Sequence, residues 1–196
     1  MKTKLLAIII AITFISCGQN EIDLSSTDKL EIDNLISDEQ KSKYLNSLWH
    51  QDQALRGGKE GQVITKYGYK SKEHKNWMKQ FEYSNNVIFQ KMEYYLENHG
   101  YPTNPSSYDE LALNSFPAII GHNHRYNAQK RLLPYLYNAY KEGNCPIGDV
   151  VGVLGEMHES KYRGKRYEMK SNRYTTEDEF IELTDKLKIN LELVKR

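Results

Sequence analysis

The spacing of its apolar residues restricts this chain most: they recur every three to four positions over most of its length and seldom alternate. That spacing lines one face of an α-helix, whereas a half-buried strand needs a period of two. The clearest stripe passes through Trp77, Met78, Phe81, Ile88, Met92 and Leu96, with Ser71 placed to cap it and His99-Gly100-Tyr101-Pro102 to end it. An earlier helix runs from about Asp38 to Leu55, carries Leu45, Leu48, Trp49 and Leu55 on one side, and stops at Gly57-Gly58. Gly61 to Tyr69 reads as a short irregular or extended linker, at most a strand pair, and Thr103 to Asp109 as a turn-rich loop. Further helices are expected from Leu111 to Asn123, Arg125 to Glu142, and Ile147 to about Tyr162. In the first of these, Pro117 either sits in the first turn or kinks the helix. Thr175 or Thr176 starts a last helix, with Glu177, Asp178 and Glu179 where the helix dipole favours acids. The expectation is a mainly α fold: a single globular domain of about six helices over residues 39–196, following a lipoprotein signal and a flexible tether. A domain of that length buries roughly 70% of its unfolded surface.

Residues 1–16 have the layout of a secretory signal, with Lys2 and Lys4, an apolar run from Leu5 to Ile15, and Ser16 before Cys17. The run is shorter than the roughly 20 residues that span a bilayer. Phe14-Ile15-Ser16-Cys17 resembles the lipobox of bacterial lipoproteins, although Phe14 stands where leucine is usual. The resemblance implies cleavage before Cys17 and lipid on its thiol; the alternative is an ordinary secretory signal that happens to end in cysteine. Residues 17–38 then comprise the lipidated cysteine and a polar, acidic tether with no helical stripe, expected to be mobile. Gly18, rather than Asp, after the cysteine resembles the sorting pattern of outer-membrane lipoproteins. The implied location is the cell envelope, lipid-anchored in the outer membrane on its periplasmic or surface face.

Without Lys2 and Lys4, acidic residues outnumber basic ones by one, so no electrostatic footprint for nucleic acid is present. With Cys17 lipidated, Cys145 has no partner for a disulfide and reads as a buried or half-buried thiol. Tyrosines number 15 against 5 phenylalanines, which suits positions with one wet and one apolar end.

Three polar groups stand out. In Leu48-Trp49-His50-Gln51-Asp52-Gln53-Ala54-Leu55-Arg56, Asp52 shares a helix face with Leu48 and Trp49, and Arg56 follows it by four. A charged pair on a core face is costly unless fully hydrogen-bonded, so it serves either to join helices or to form a site. In His122-Asn123-His124, Asn123 continues the stripe of Phe116, Ile119 and Ile120 and His122 borders it. The two histidines point to different sides, which makes them poor joint metal ligands. Gly155-Glu156-Met157-His158-Glu159-Ser160 lacks the second histidine of a zinc helix, because Tyr162 stands there, though Glu156 or His158 could join a pocket. Phosphate loops, nucleophile elbows and cysteine pairs are absent from the sequence, and no metal or cofactor is expected.

Asp52-Gln53-Ala54-Leu55-Arg56, His99-Gly100-Tyr101-Pro102, and His122-Asn123 ahead of Leu133-Pro134-Tyr135-Leu136 together resemble a family. It is a family of bacterial secreted proteins and lipoproteins carrying a domain of unknown function, typified by Asp-Gln-x-x-Arg, a Gly-aromatic-Pro turn and a histidine-bearing helix. The resemblance covers roughly Leu48 to Arg166. It departs where Glu156-Met157-His158 and Lys165-Arg166-Tyr167-Glu168 replace the family's Asp-Arg pair and Gln-x-Tyr-Gly segment. What the resemblance implies is that Asp52, Gln53, Arg56 and His122 belong together in space. The expected role is a membrane-tethered binding module for a small molecule or protein. The alternatives are an extracytoplasmic hydrolase, with Asp52 or Glu156 as base, His122 relaying protons and Arg56 steadying an anion, and an immunity or inhibitor protein docking through tyrosines.

Overall fold

The computed structural model describes residues 23–168 and 176–191, so the signal segment and Cys17 lie outside it. The described residues form eight α-helices and one 3-10 turn, with no strand. In order these are α1 (Ser26–Asp33), α2 (Asp38–Arg56), α3 (Lys59–Tyr67) and α4 (Lys72–His99), then the 3-10 turn Pro105–Ser107. α5 (Glu110–His122), α6 (Tyr126–Lys141), α7 (Ile147–Lys161) and α8 (Thr176–Leu187) follow. Among them, none is long and apolar enough to cross a membrane.

The core lies where α2, the second half of α4, and α5 to α8 meet. α5 packs between α2 and α7, and α7 in turn carries α6 and α8. Leu45 and Leu48 of α2, Phe89 and Met92 of α4, Phe116 and Ile120 of α5, and Leu154 and Met157 of α7 are fully buried there. Local chemistry sets the ends. Ser37 and Gln40 form a reciprocal capping box at the start of α2, and the Ser71 hydroxyl accepts from the His74 amide at the start of α4. Gly100 ends α4 at φ +69°, a backbone region that a residue with a Cβ disfavours. Pro117 lies inside α5 rather than in its first turn, so the helix loses one ladder bond there.

Two stretches differ from the sequence-based expectation. The segment expected to be a mobile tether contains α1, whose Ile32 is 0% exposed against the core. Lys91 pairs with Asp28 at 2.7 Å, Tyr94 donates to Asp33 at 3.0 Å, and the His99 imidazole donates to the Ile32 carbonyl at 2.9 Å. These tertiary ties hold a helix too polar to announce itself by a stripe. The stretch from Gly61 to Tyr69 is largely the helix α3, not an extended linker. It buries no residue fully; it lies along the first half of α4, where Trp77 and Phe81 stack at 5.2 Å and His74 reaches Glu60 at 3.1 Å. The long α4 stripe is therefore core only from Ile88 onward, while Trp77, Met78 and Phe81 stay half-buried.

Candidate functional site

A polar centre forms where the last turns of α2 meet the C-terminus of α5. Asp52 points inward because it lies one turn beyond Leu48, and its side chain is 1% exposed. One turn further along, Arg56 brings Nη2 to 2.9 Å from Asp52 Oδ1, with Nε 3.3 Å from the same oxygen. The Gln53 amide donates to Oδ2 at 3.0 Å. From α5, seventy residues away in sequence, His122 Nδ1 donates to the same Oδ2 at 2.7 Å. One carboxylate thus gathers three donors, and the structure brings together Asp52, Gln53, Arg56 and His122.

Asn85 of α4 completes the centre. Its Oδ1 accepts from Arg56 Nη2 at 2.7 Å, and its amide reaches the His122 carbonyl at 3.5 Å. Arg56 also lies over the Phe81 ring, 5.4 Å from its centroid. The sequence places Phe81 only in the apolar stripe of α4 and gives no sign of Asn85. Asn85 sits in a half-buried stretch with no pattern to mark it, and only the fold brings it to Arg56.

The electrostatics follow from this geometry. Burial opposes ionisation of Asp52, but hydrogen bonds from His122 and Arg56 outweigh it and hold the carboxyl below the usual range. With the carboxylate ionised, Nδ1 is the His122 nitrogen that donates its proton to Oδ2, and the ring's other nitrogen is free to face a bound group. His122 is 32% exposed and Arg56 22%, so both partners of the buried acid reach the surface. A buried carboxylate orienting a half-exposed imidazole beside a guanidinium can take a proton from a bound group, or hold an anionic one.

The other sequence candidates lie elsewhere. Asn123 is buried, but it caps the C-terminus of α5 and spends its Oδ1 on the Arg125 backbone and side chain. His124 is exposed. Glu156 makes no hydrogen bond or ion pair to Asp52, Arg56 or His122; it lines a separate cavity between α7 and α8. Its Cγ would lie 3.3 Å from a Cβ placed on Gly121, the residue before His122. His158 donates to the Lys165 carbonyl and closes the turn after α7. Cys145 is buried, and burial, with Asp149 beside it, pushes its thiol up to about 12, which makes it inert rather than nucleophilic. Among the described tyrosines only Tyr67, Tyr69, Tyr83 and Tyr162 are exposed; the others pack wholly or partly into the core. No group of three metal-capable side chains converges among the described residues.

Comparison of the chain with protein-family models, with curated proteins and with solved structures finds no match.

Proposed function

We propose that the chain is a lipid-anchored protein of the cell envelope, held to the membrane through Cys17, whose helical domain binds a small molecule or protein partner at the His122 face of the Asp52 centre. The lipobox-like Phe14-Ile15-Ser16-Cys17 supports the anchor, and the apolar run from Leu5 to Ile15 behind Lys2 and Lys4 supports the same setting. The binding role rests on one observation: the 2.7 Å contact that fixes a half-exposed imidazole on a buried acid. A charged group on the α2 core face costs free energy, and here it is spent on aiming a histidine outward.

Anchoring is tested by expressing the wild type and Cys17→Ser in a bacterium, with detergent phase partitioning and labelled palmitate as readouts. The wild type is expected in the detergent phase with label incorporated, and Cys17→Ser without label. Equal behaviour of the two would remove the anchor from this reading.

Binding is tested with His122→Asn, whose amide can still donate to Asp52 but lacks the ring's second nitrogen. Asp52 keeps three donors in this variant, so the expected stability loss is below about 1 kcal/mol. Screening the wild type by thermal shift against small carboxylates, phosphates and hydroxylated compounds should give a stabilising ligand whose effect disappears in His122→Asn. A large loss of stability in His122→Asn would instead make the contact a latch between α2 and α5.

The same contact favours a second reading, an extracytoplasmic hydrolase, with roles reassigned. Asp52 is committed to three donors and Glu156 faces another cavity, so neither is placed as base. His122 would take the proton, Asp52 would orient it, and Arg56 would steady the developing anion.

A further inference from the structure

α7 carries three glycines, Gly148, Gly152 and Gly155, that face one cavity against α8. A glycine inside a helix is less favourable than an alanine, because it loses more backbone freedom on folding. None of the three has positive φ, and a Cβ built on any of them meets nothing within 4 Å. Neither backbone conformation nor close helix packing therefore requires them. Their effect is to leave space: a cavity of about 340 Å³ floored by Val151 and Leu183.

The walls of that space are acidic. Glu156 and Glu159 come from α7 and Glu179 from α8, with Arg166 at the rim as the one cation among the described lining residues. Glu179 is the decisive residue. It is only 5% exposed and makes no hydrogen bond or ion pair with any described residue, yet it lines the cavity. The Glu179 carboxylate thus opens onto the cavity without a protein partner among the described residues, and a cationic ligand would supply one. Glu156 and Glu159 stand about one turn apart on α7 and Glu179 lines the same cavity from α8, so the acids come from both walls of the groove. Acids on both walls suit an extended molecule with charge at both ends.

We propose that the α7–α8 cavity is a binding site for a short organic dication, a molecule with an ammonium or guanidinium group at each end of an apolar chain. Glu179 takes the inner charged group, Glu156 and Glu159 the outer one, and the glycine face of α7 admits the methylenes between them. This site is separate from the Asp52 centre and does not depend on its role.

Calorimetric titration of the full chain in detergent with agmatine is the test, alongside Glu179→Gln and Gly152→Leu. Agmatine should bind the wild type and weaken at least tenfold in both variants. Gly152→Leu fills the groove at an exposed helical position, so its Tm should hold or rise, which separates blockage from misfolding. N-acetyl-arginine methylamide, with a single positive charge, should bind at least tenfold more weakly than agmatine. Absence of agmatine binding to the wild type, or equal affinity in wild type and Gly152→Leu, would overturn the proposal. Equal affinity for the two probes would overturn it in favour of a pocket for a partner's arginine side chain.

Discussion

Asp52→Asn is expected to lower the stability of the domain by about 3 kcal/mol at neutral pH, the low end of the range for breaking a buried ion pair. The amide keeps the shape of the side chain but removes the charge that collects Arg56, Gln53 and His122, and it turns an NH2 group towards at least one of those donors. The loss stays near the low end because Arg56 and His122 both reach water and can be partly solvated once released. At roughly 2–4 °C per kcal/mol for a domain of this size, Tm falls by about 6–12 °C.

The pH dependence has a definite sign. The carboxyl of Asp52 is held below its ordinary value in the folded protein, so the folded state binds fewer protons than the unfolded chain across that interval. Its contribution is fully present above about pH 4, the value of an unperturbed aspartate, and is lost as pH falls through the lower folded value. Denaturant unfolding of wild type and Asp52→Asn should therefore show a gap at pH 7 that narrows below pH 4. A variant as stable as wild type, or more so, at pH 7 would mean that burial outweighs the pairing. The charge would then be kept at a cost to the fold, which strengthens a binding role for the centre and weakens a structural one.

How far the sequence carries depends on where each residue draws its stabilisation. Ser37, Ser71 and Gly100 act on their own helix ends, so those boundaries are readable from neighbours three or four positions away. The Asp52–Arg56 pair is readable for the same reason, being separated by one turn. His122 comes into view only through its place at the edge of an apolar stripe, since its partner is seventy residues distant. Asn85 has no such cue. Glu156 was grouped with these residues because it is polar and borders a core helix, but a helix has more than one buried flank. α7 lays the stem of Glu156 against Gly121 of α5 and borders the α8 cavity with it, while it packs Val150, Leu154 and Met157 into the core. α3 is hidden by Gly61 and by the β-branched run Val63-Ile64-Thr65, which local propensity reads as extended. Its contacts with α2 and α4 override that preference.

A protein beginning at Leu35, which keeps the Ser37 cap of α2 but lacks α1, should be at least about 4 kcal/mol less stable than one beginning at Asp23, the largest effect expected for any change outside the core helices. The shorter protein lacks Ile32, and the loss of a buried aliphatic side chain alone costs roughly 2–5 kcal/mol when the space it leaves cannot close. It also strips Lys91 of Asp28, Tyr94 of Asp33 and His99 of its carbonyl acceptor, and it uncovers the face of α4 on which α1 lies. Thermal unfolding of the two proteins, with Ile32→Ala in the longer one, separates the buried side chain from the polar ties. Ile32→Ala should account for about half of the difference. The result bears on how the domain meets the membrane. If Cys17 carries lipid, the chain between it and the buried Leu24 spans at most roughly 25 Å when fully extended. A docked α1 then keeps the domain close to the bilayer surface. Equal stability of the two proteins would make α1 a spectator and lengthen the leash to the start of α2, letting the domain reach partners well away from the membrane.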